Sequence, residues 1–345
     1  MRVLVFAVLF AVSACTPPDN RVSQTSDGSP PTYWTFDKAA PALRLASCSE
    51  DDLFESASNL ALLASEVERG PQTAQANQLQ GMTFAGAWHL TADDPDFGGL
   101  SGLDTLADGS LLAISDAGTW VWIGLDPLTG APDGIASIGS MRRADGTLPP
   151  SKRHMDAEGL AVKDGLALVS FEQVHRIEAF ALDKCGQGAR AALVTTLPKR
   201  ISGKRIRANK GAEALSLSKT LNIGFETKTR HGSPSTSLLE DGTLGQSNFV
   251  ERGDAFSKTG ADTLDTLHVN LYRAYDPVRG NRIKVDVFEG GVAIATAHLR
   301  PPLPVDNFEG IAFGSSPEGQ TRIWMISDDN FNESQRTLLF AFDLE

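Results

Sequence analysis

Short apolar runs alternate along this chain with tight polar turns, and the clearest case lies near the middle. Asp156-Ala157-Glu158-Gly159-Leu160-Ala161-Val162 meets the turn signal Lys163-Asp164-Gly165 and returns as Leu166-Ala167-Leu168-Val169-Ser170-Phe171-Glu172. Two apolar runs about a glycine turn predict a β-hairpin of largely buried strands. Pairing Val162 with Leu166 and counting outward sets Glu158 opposite Ser170 and Glu172 level with Asp156. Two carboxylates therefore meet at the open end of the hairpin.

The arrangement recurs. Ser101-Gly102-Leu103 runs to a turn at Ala107-Asp108-Gly109 and returns to Asp116; Glu213-Ala214-Leu215 returns to Glu226; Glu309-Gly310-Ile311 returns, past a longer tip, to Asp328. From opening residue to closing acid the four copies span 15, 14, 13 and 19 positions. A weaker copy begins near Asp262, and the starts at 102, 159, 214, 262 and 310 lie 57, 55, 48 and 52 residues apart. Short-stranded repeats of roughly 40–50 residues mark an all-β fold of the β-propeller kind, one blade per repeat. Six blades are preferred, with five the alternative; a sixth would occupy residues 231–260 without a clear signature. Met82 to Leu90 predicts a strand before the first repeat, and Leu338 to Leu344 one at the C-terminus. Such terminal strands commonly pair to close a propeller.

Upstream the pattern changes. Ser49-Glu50-Asp51-Asp52 before an apolar run to Val67 looks like a capping box, so a helical appendage is expected over residues 46–80. Residues 16–45 read as a flexible tether, rich in Pro, Ser and Thr at its start. Met1-Arg2, the apolar run Val3 to Val12 and Ser13-Ala14-Cys15 resemble a bacterial lipoprotein signal over residues 1–15, with Cys15 the lipidated residue; an ordinary signal peptide cut nearby is the alternative. The apolar run is too short to cross a bilayer. Thr16, rather than Asp, after the cysteine implies the outer membrane by the same resemblance. The body is then a soluble domain exported across the inner membrane and lipid-anchored in the envelope, touching membrane only through its anchor. With Cys15 set aside, Cys48 and Cys185 remain, and an even pair in an oxidising compartment points to a disulfide.

Composition adds two constraints. A net charge of −12 excludes nucleic acid as an expected partner. From Met141 to Lys210, however, 14 Lys or Arg stand against 7 Asp or Glu. The loops Lys152-Arg153-His154 and Lys199 to Lys210 carry most of that excess and lead directly into Glu-bearing strands, giving a basic rim around an acidic centre.

Common catalytic signatures are missing: there is no His-Glu-x-x-His, no metal-type Cys pair and no phosphate loop. Gly99-Leu100-Ser101-Gly102-Leu103 lacks the last glycine of a nucleophile elbow. The six histidines are scattered singly, against a histidine-rich metal site. Carboxylate chemistry remains. Glu158, Glu213 and Glu309 from three blades would converge on a central channel, with Asp116, Glu172, Glu226 and Asp328 close by. Crowded like charges raise one another's pKa unless a cation neutralises them, and hard oxygen ligands suit Ca²⁺. The same acids could instead cap backbone N–H groups within the blades.

Phe97 to Leu103, Ile114-Ser115-Asp116, Asp156 to Gly159, Phe171-Glu172 with Arg176-Ile177, Asn209 to Ala214, Asp306 to Gly310 and Ser327 to Phe331 together resemble the phytase-like family, described as having esterase-like activity of phytase. The resemblance spans residues 85–345. It implies an envelope β-propeller that hydrolyses phosphate or other esters; Ala214 departs from it, standing where a glycine is expected. The leading expectation is a monomeric phosphoesterase acting on a small anionic ester, with Ca²⁺ held by Glu158, Glu213, Glu309 and Asp116. Glu158, Glu213, Glu309, Glu172 and Asp328 form the catalytic set, and Arg153, Arg176, Lys204, Arg205 and Arg207 bind the substrate. The alternatives are a lactone or carboxylic-ester hydrolase and a non-catalytic binding propeller.

Overall fold

The computed structural model describes residues 31–68, 78–151, 154–229, 231–250 and 256–345, with Val250 described by its backbone alone. The leader, Cys15, the first part of the tether, and Lys152-Arg153 lie outside the described residues.

Each hairpin forms where the apolar runs predict, and each grows by two further antiparallel strands into a four-stranded blade. Leu100–Thr105, Ala157–Lys163, Ala212–Leu217, Ser257–Leu264 and Asn307–Ser315 are the inner strands. They pack in that order, each on the next, and Asn307–Ser315 packs back against Leu100–Thr105. The ring therefore closes with five blades among the described residues, not the preferred six. Residues 233–250 supply no separate blade: Ser233–Ser237 and Asn248–Val250 are the outer strands of the third.

Closure joins the termini. The C-terminal strand Leu338–Leu344 pairs with Met82–Ala92, with Leu338 opposite His89 and Leu344 opposite Met82. Ser58–Glu66 then bridges Met82–Ala92 and the outer strand Pro132–Ser140, merging the fifth and first blades into one nine-stranded sheet. No edge is left open at the seam, as the edge-strand hazard requires.

Ser58–Glu66 overturns the expected helix. Leu60 and Leu62 are buried while Leu63 is 68% exposed, the period-two pattern of a strand paired on both sides. The capping-box residues close a local turn instead, in which Asp52 accepts both the N–H of Ser49 at 2.7 Å and its hydroxyl at 2.8 Å. The helix lies upstream, at Phe36–Ser47, mostly inside the stretch read as tether and ending two residues into the expected appendage. Phe36 and Ala40 are buried, and the Ser47 hydroxyl accepts the N–H of Ala181 at 2.9 Å, which fixes the helix to the second blade. Cys48, just past the helix, is bonded to Cys185, closing a 137-residue separation. The chain-entropy view of such a loop gives roughly 4–5 kcal/mol as an upper bound.

In the second blade the turn is one residue tighter than expected. Lys163 pairs with Leu166 across Asp164 and Gly165, both at positive φ, a two-residue type I′ geometry. A β-bulge at Glu158-Gly159 then shifts the register back, so Ala157 pairs with Phe171 and the N–H of Glu172 reaches the Asp156 carbonyl at 2.7 Å. The two displacements cancel at the open end.

Candidate functional site

That bulge recurs at the same level of every inner strand, at Ser101, Glu158, Glu213, Thr259 and Glu309. A bulge leaves one residue out of the ladder and re-aims its side chain. Three blades use this to present a glutamate to the central channel. In the other two a hydroxyl bonds the next blade's backbone, Ser101 to the Ala157 carbonyl at 2.5 Å and Thr259 to the Phe308 carbonyl at 3.2 Å. Close packing around the ring depends on the next residue. A Cβ on Gly159 would lie 2.8 Å from the Glu213 carbonyl oxygen, and one on Gly260 2.7 Å from that of Glu309. The third blade tolerates Ala214 because its cross-strand partner is Gly224, which leaves room for the methyl group.

A second ring lies at the ends of the paired strands. Asp116, Glu172, Glu226 and Asp328 occupy four of its positions, and Arg273 occupies the fifth, opposite Ser257 as Asp328 is opposite Asn307. Placing the weak repeat at Asp262 concealed this, for the structural equivalent of Gly159 is Gly260. Counted from there, Arg273 stands 13 residues on, as Glu172 does from Gly159. Asp262 lies deeper in the inner strand, where its carboxylate accepts the N–H of Phe313 at 2.7 Å.

The channel between the rings has a volume of about 970 Å³ and is lined, among the described residues, by nine carboxylates, those of both rings with Asp156 and Asp306, against two cations, Lys210 and Arg273. Such a density of like charge cannot ionise fully in a shielded site. Burial first, then the charges of Glu172 and Glu309, holds Glu158 well above the ordinary carboxylate range. Burial and the charge of Glu158 do the same to Glu213. Glu172 is pushed up to about 7 by burial, against the pull of the Gly211 N–H it accepts. The neighbouring Glu213 side chain pulls in the same sense as that N–H. Burial raises Glu309 to about 8, although Arg273 acts in the opposite sense, and Asp328 to about 6.

The remaining acids are held by particular partners. Arg273 Nη2 is 3.0 Å from Glu309 Oε1, and the Asn307 amide bridges Glu309 and Asp328, at 3.1 Å to each. Lys210 Nζ meets Glu226 Oε2 at 2.5 Å. Glu158 differs: half-buried, it makes no hydrogen bond or ion pair among the described residues. Carboxylate oxygens of Asp156, Glu158 and Glu172 all lie within 4.8 Å of one another. Oxygens sharing one calcium ion at roughly 2.4 Å can be no more than about 4.8 Å apart, so this trio fits a hard divalent cation.

Of the expected metal set only Glu158 belongs to this trio: Asp116 and Glu213 line the channel outside it and Glu309 is paired with Arg273, while Asp156 and Glu172, which sequence reasoning did not assign to the metal, complete it. Of the expected basic residues, none that is described lines the channel. Arg176 begins its blade's third strand, where it stacks over Phe171 at 4.1 Å and pairs with Glu178 at 2.9 Å. Lys204 and Arg205 stand exposed on a small two-stranded ribbon with Arg200-Ile201. Arg207 is exposed, and His175 lies against its carbonyl. Arg153 lies outside the described residues.

The family described as Phytase-like, esterase-like activity of phytase, matches residues 95–247 and 249–331. No curated protein matches the sequence. Among solved structures, the PQQ-bound aldose sugar dehydrogenase of Streptomyces coelicolor is 13% identical, covering 82% of this chain and 98% of its own, with a TM-score of 0.44. An endo-arabinase of Bacteroides thetaiotaomicron is 10% identical, covering 73% and 95%, with a TM-score of 0.42. A Myxococcus xanthus glutaminyl cyclase is 13% identical, covering 84% and 100%, with a TM-score of 0.40. Similarity at this level carries no chemistry over to this chain.

Proposed function

The chain belongs to the phytase-like family, and from that premise we propose that it hydrolyses anionic esters, phosphate esters first, in the propeller channel with calcium as cofactor. The observation that carries the reading is the carboxylate of Glu158, without a partner among the described residues, beside Asp156 and Glu172, with the oxygens of all three in reach of one cation. These three residues would hold the ion. When bound, calcium supplies charge neutralisation and Lewis-acid polarisation of a phosphoryl or carbonyl oxygen.

The rest falls to the chain's own side chains. Arg273 and Lys210 are the channel cations among the described residues, so the anion-binding role falls to Lys210 of the second basic loop and to Arg273, which lies outside both loops. Glu213, held well above the ordinary carboxylate range, lines the channel as the proton donor for a leaving alkoxide, and once ionised it can take a proton from water. Glu309, Asp328 and Asn307 orient Arg273. Nine carboxylates against two cations would repel an anionic ester, so neutralisation must precede binding.

Rates on aryl phosphates, phytate, aryl acetates and lactones, measured with EGTA and after calcium is restored, test the reading. Phosphoester hydrolysis should fall at least a hundredfold in chelator and return with calcium. Turnover of lactones alone would favour the neutral-ester alternative, and no turnover of any of them would leave a binding propeller. The proposed site of action is the envelope, with the protein anchored through Cys15. Cys15→Ala should move it from the membrane to the soluble envelope fraction, and retention on the membrane would refute the anchor.

A further inference from the structure

Between the third and fourth blades lies a second cavity of about 310 Å³ that shares no lining residue with the channel. Ser216, Asn222, Ser235 and Asn248 line it from the third blade, Lys258 and His268 from the fourth. Lys258 is 4% exposed, and its side chain lies across Gly224, where a Cβ would fall 2.9 Å from Lys258 Cδ. Among the described residues the ammonium has one polar contact, a long one of 3.4 Å to Ser235 Oγ, and no carboxylate partner. A buried lysine is ordinarily paired.

We propose that this inter-blade cavity binds a small hydroxylated monocarboxylate, whose carboxylate becomes the counterion of Lys258. The charge count selects a monoanion: a dianion against one ammonium would leave a buried excess of negative charge. His268 adds no second cation, because burial and the nearby ammonium push it down to about 4, and its ring nitrogens face Thr263 Oγ1 at 3.1 Å and Asn270 Oδ1 at 3.0 Å. Among the described residues, Lys258 and His268 are the only titratable groups on the cavity walls. The walls also offer hydrogen bonds to ligand hydroxyls. Asn222 Oδ1 accepts from Ser237 at 2.7 Å, which turns the Asn222 amide NH₂ to the cavity as a donor beside the Ser216 hydroxyl. Because burial pushes Lys258 down to about 8, binding should restore its proton and weaken as pH rises past that value.

Titration calorimetry with D-glycerate in EGTA tests this on the whole folded protein, with glycerol and inorganic phosphate as comparisons. Saturable glycerate binding is expected at pH 7, at least tenfold weaker at pH 9.5, with no glycerol binding and phosphate weaker than glycerate. Lys258→Met should abolish it. Asn248 is exposed at the cavity mouth, so Asn248→Trp should block entry without disturbing the core, which keeps the test decisive if Lys258→Met fails to fold. Glu158→Gln should leave glycerate binding unchanged, separating this site from the channel. No binding to the parent protein, or undiminished binding in Asn248→Trp, overturns the proposal.

Discussion

Arg273 Nη2 stands 3.0 Å from Glu309 Oε1 and 3.9 Å from Glu226 Oε1, so one guanidinium from the fourth blade holds acids of the third and fifth. It occupies the position that the other blades give to a carboxylate. A ring of five acids would have no internal counterion there; four acids and an arginine can persist. Replacing Arg273 by Met should therefore destabilise the fold by about 2 kcal/mol, below the usual range for breaking a buried pair because the acids can take up protons. The loss should be greater at pH 8 than at pH 6, where Glu309 is protonated, and urea denaturation at the two values checks it.

The raised carboxyl groups set a pH dependence of definite sign. Glu309, Glu172 and Asp328 titrate at about 8, 7 and 6 in the folded chain, above their unfolded values, so the native state binds more protons between those limits. The stability these groups contribute in chelator should therefore be fully present only below their unfolded values and fall as pH rises to 8. Lys258, depressed to about 8, acts in the opposite sense above that value. Saturating calcium should flatten the decline, because the cation takes over the neutralisation. A melting temperature in EGTA that rises from pH 5 to 8 would contradict this account.

Glu158→Gln keeps the size of the side chain and removes its charge. Without calcium its melting temperature should equal or exceed the parent's, since a desolvated carboxyl among like charges is lost. Added calcium should raise the parent's melting temperature and leave the variant's unmoved; a ligand at a hundred times its Kd contributes about 2.7 kcal/mol. An equal calcium response in both proteins would remove Glu158 from the cation site.

Gly159→Ala places a Cβ 2.7 Å from Ser170 Oγ and 2.8 Å from the Glu213 carbonyl. The inner strands would have to separate, at a cost of about 1–3 kcal/mol, and Glu158 would shift with them. Ala214→Gly, at the same level of the next blade, relieves no clash and should cost no more than about 1 kcal/mol. Thermal unfolding of the pair gives the contrast, and equal losses would mean that ring packing does not discriminate between the two blades.

The hairpins, their order and most of their acids were legible because they are local. A strand pair is written in two neighbouring apolar runs and a turn, and even the level of Asp156 and Glu172 could be counted out. Ser49 to Val67 shows where such reading fails. An apolar run with a capping-box start supports a helix as well as a strand, and pairing with Met82–Ala92 and Pro132–Ser140, distant in sequence, decided for the strand.

By itself the sequence determined a repeated hairpin, an all-β propeller, the family, and three glutamates set to converge. Tertiary structure alone decided five blades over six, because ring closure depends on how inner strands pack side by side rather than on any spacing between repeats. It also decided the chemistry of the rim. Arg176 and Arg205 are near the channel acids in sequence, yet they sit on outer strands and ribbons; Arg273 is 47 and 36 residues from Glu226 and Glu309 in sequence, yet reaches both from the blade between them. Charge neighbourhoods in a propeller are set around the ring, perpendicular to the direction in which the chain is read.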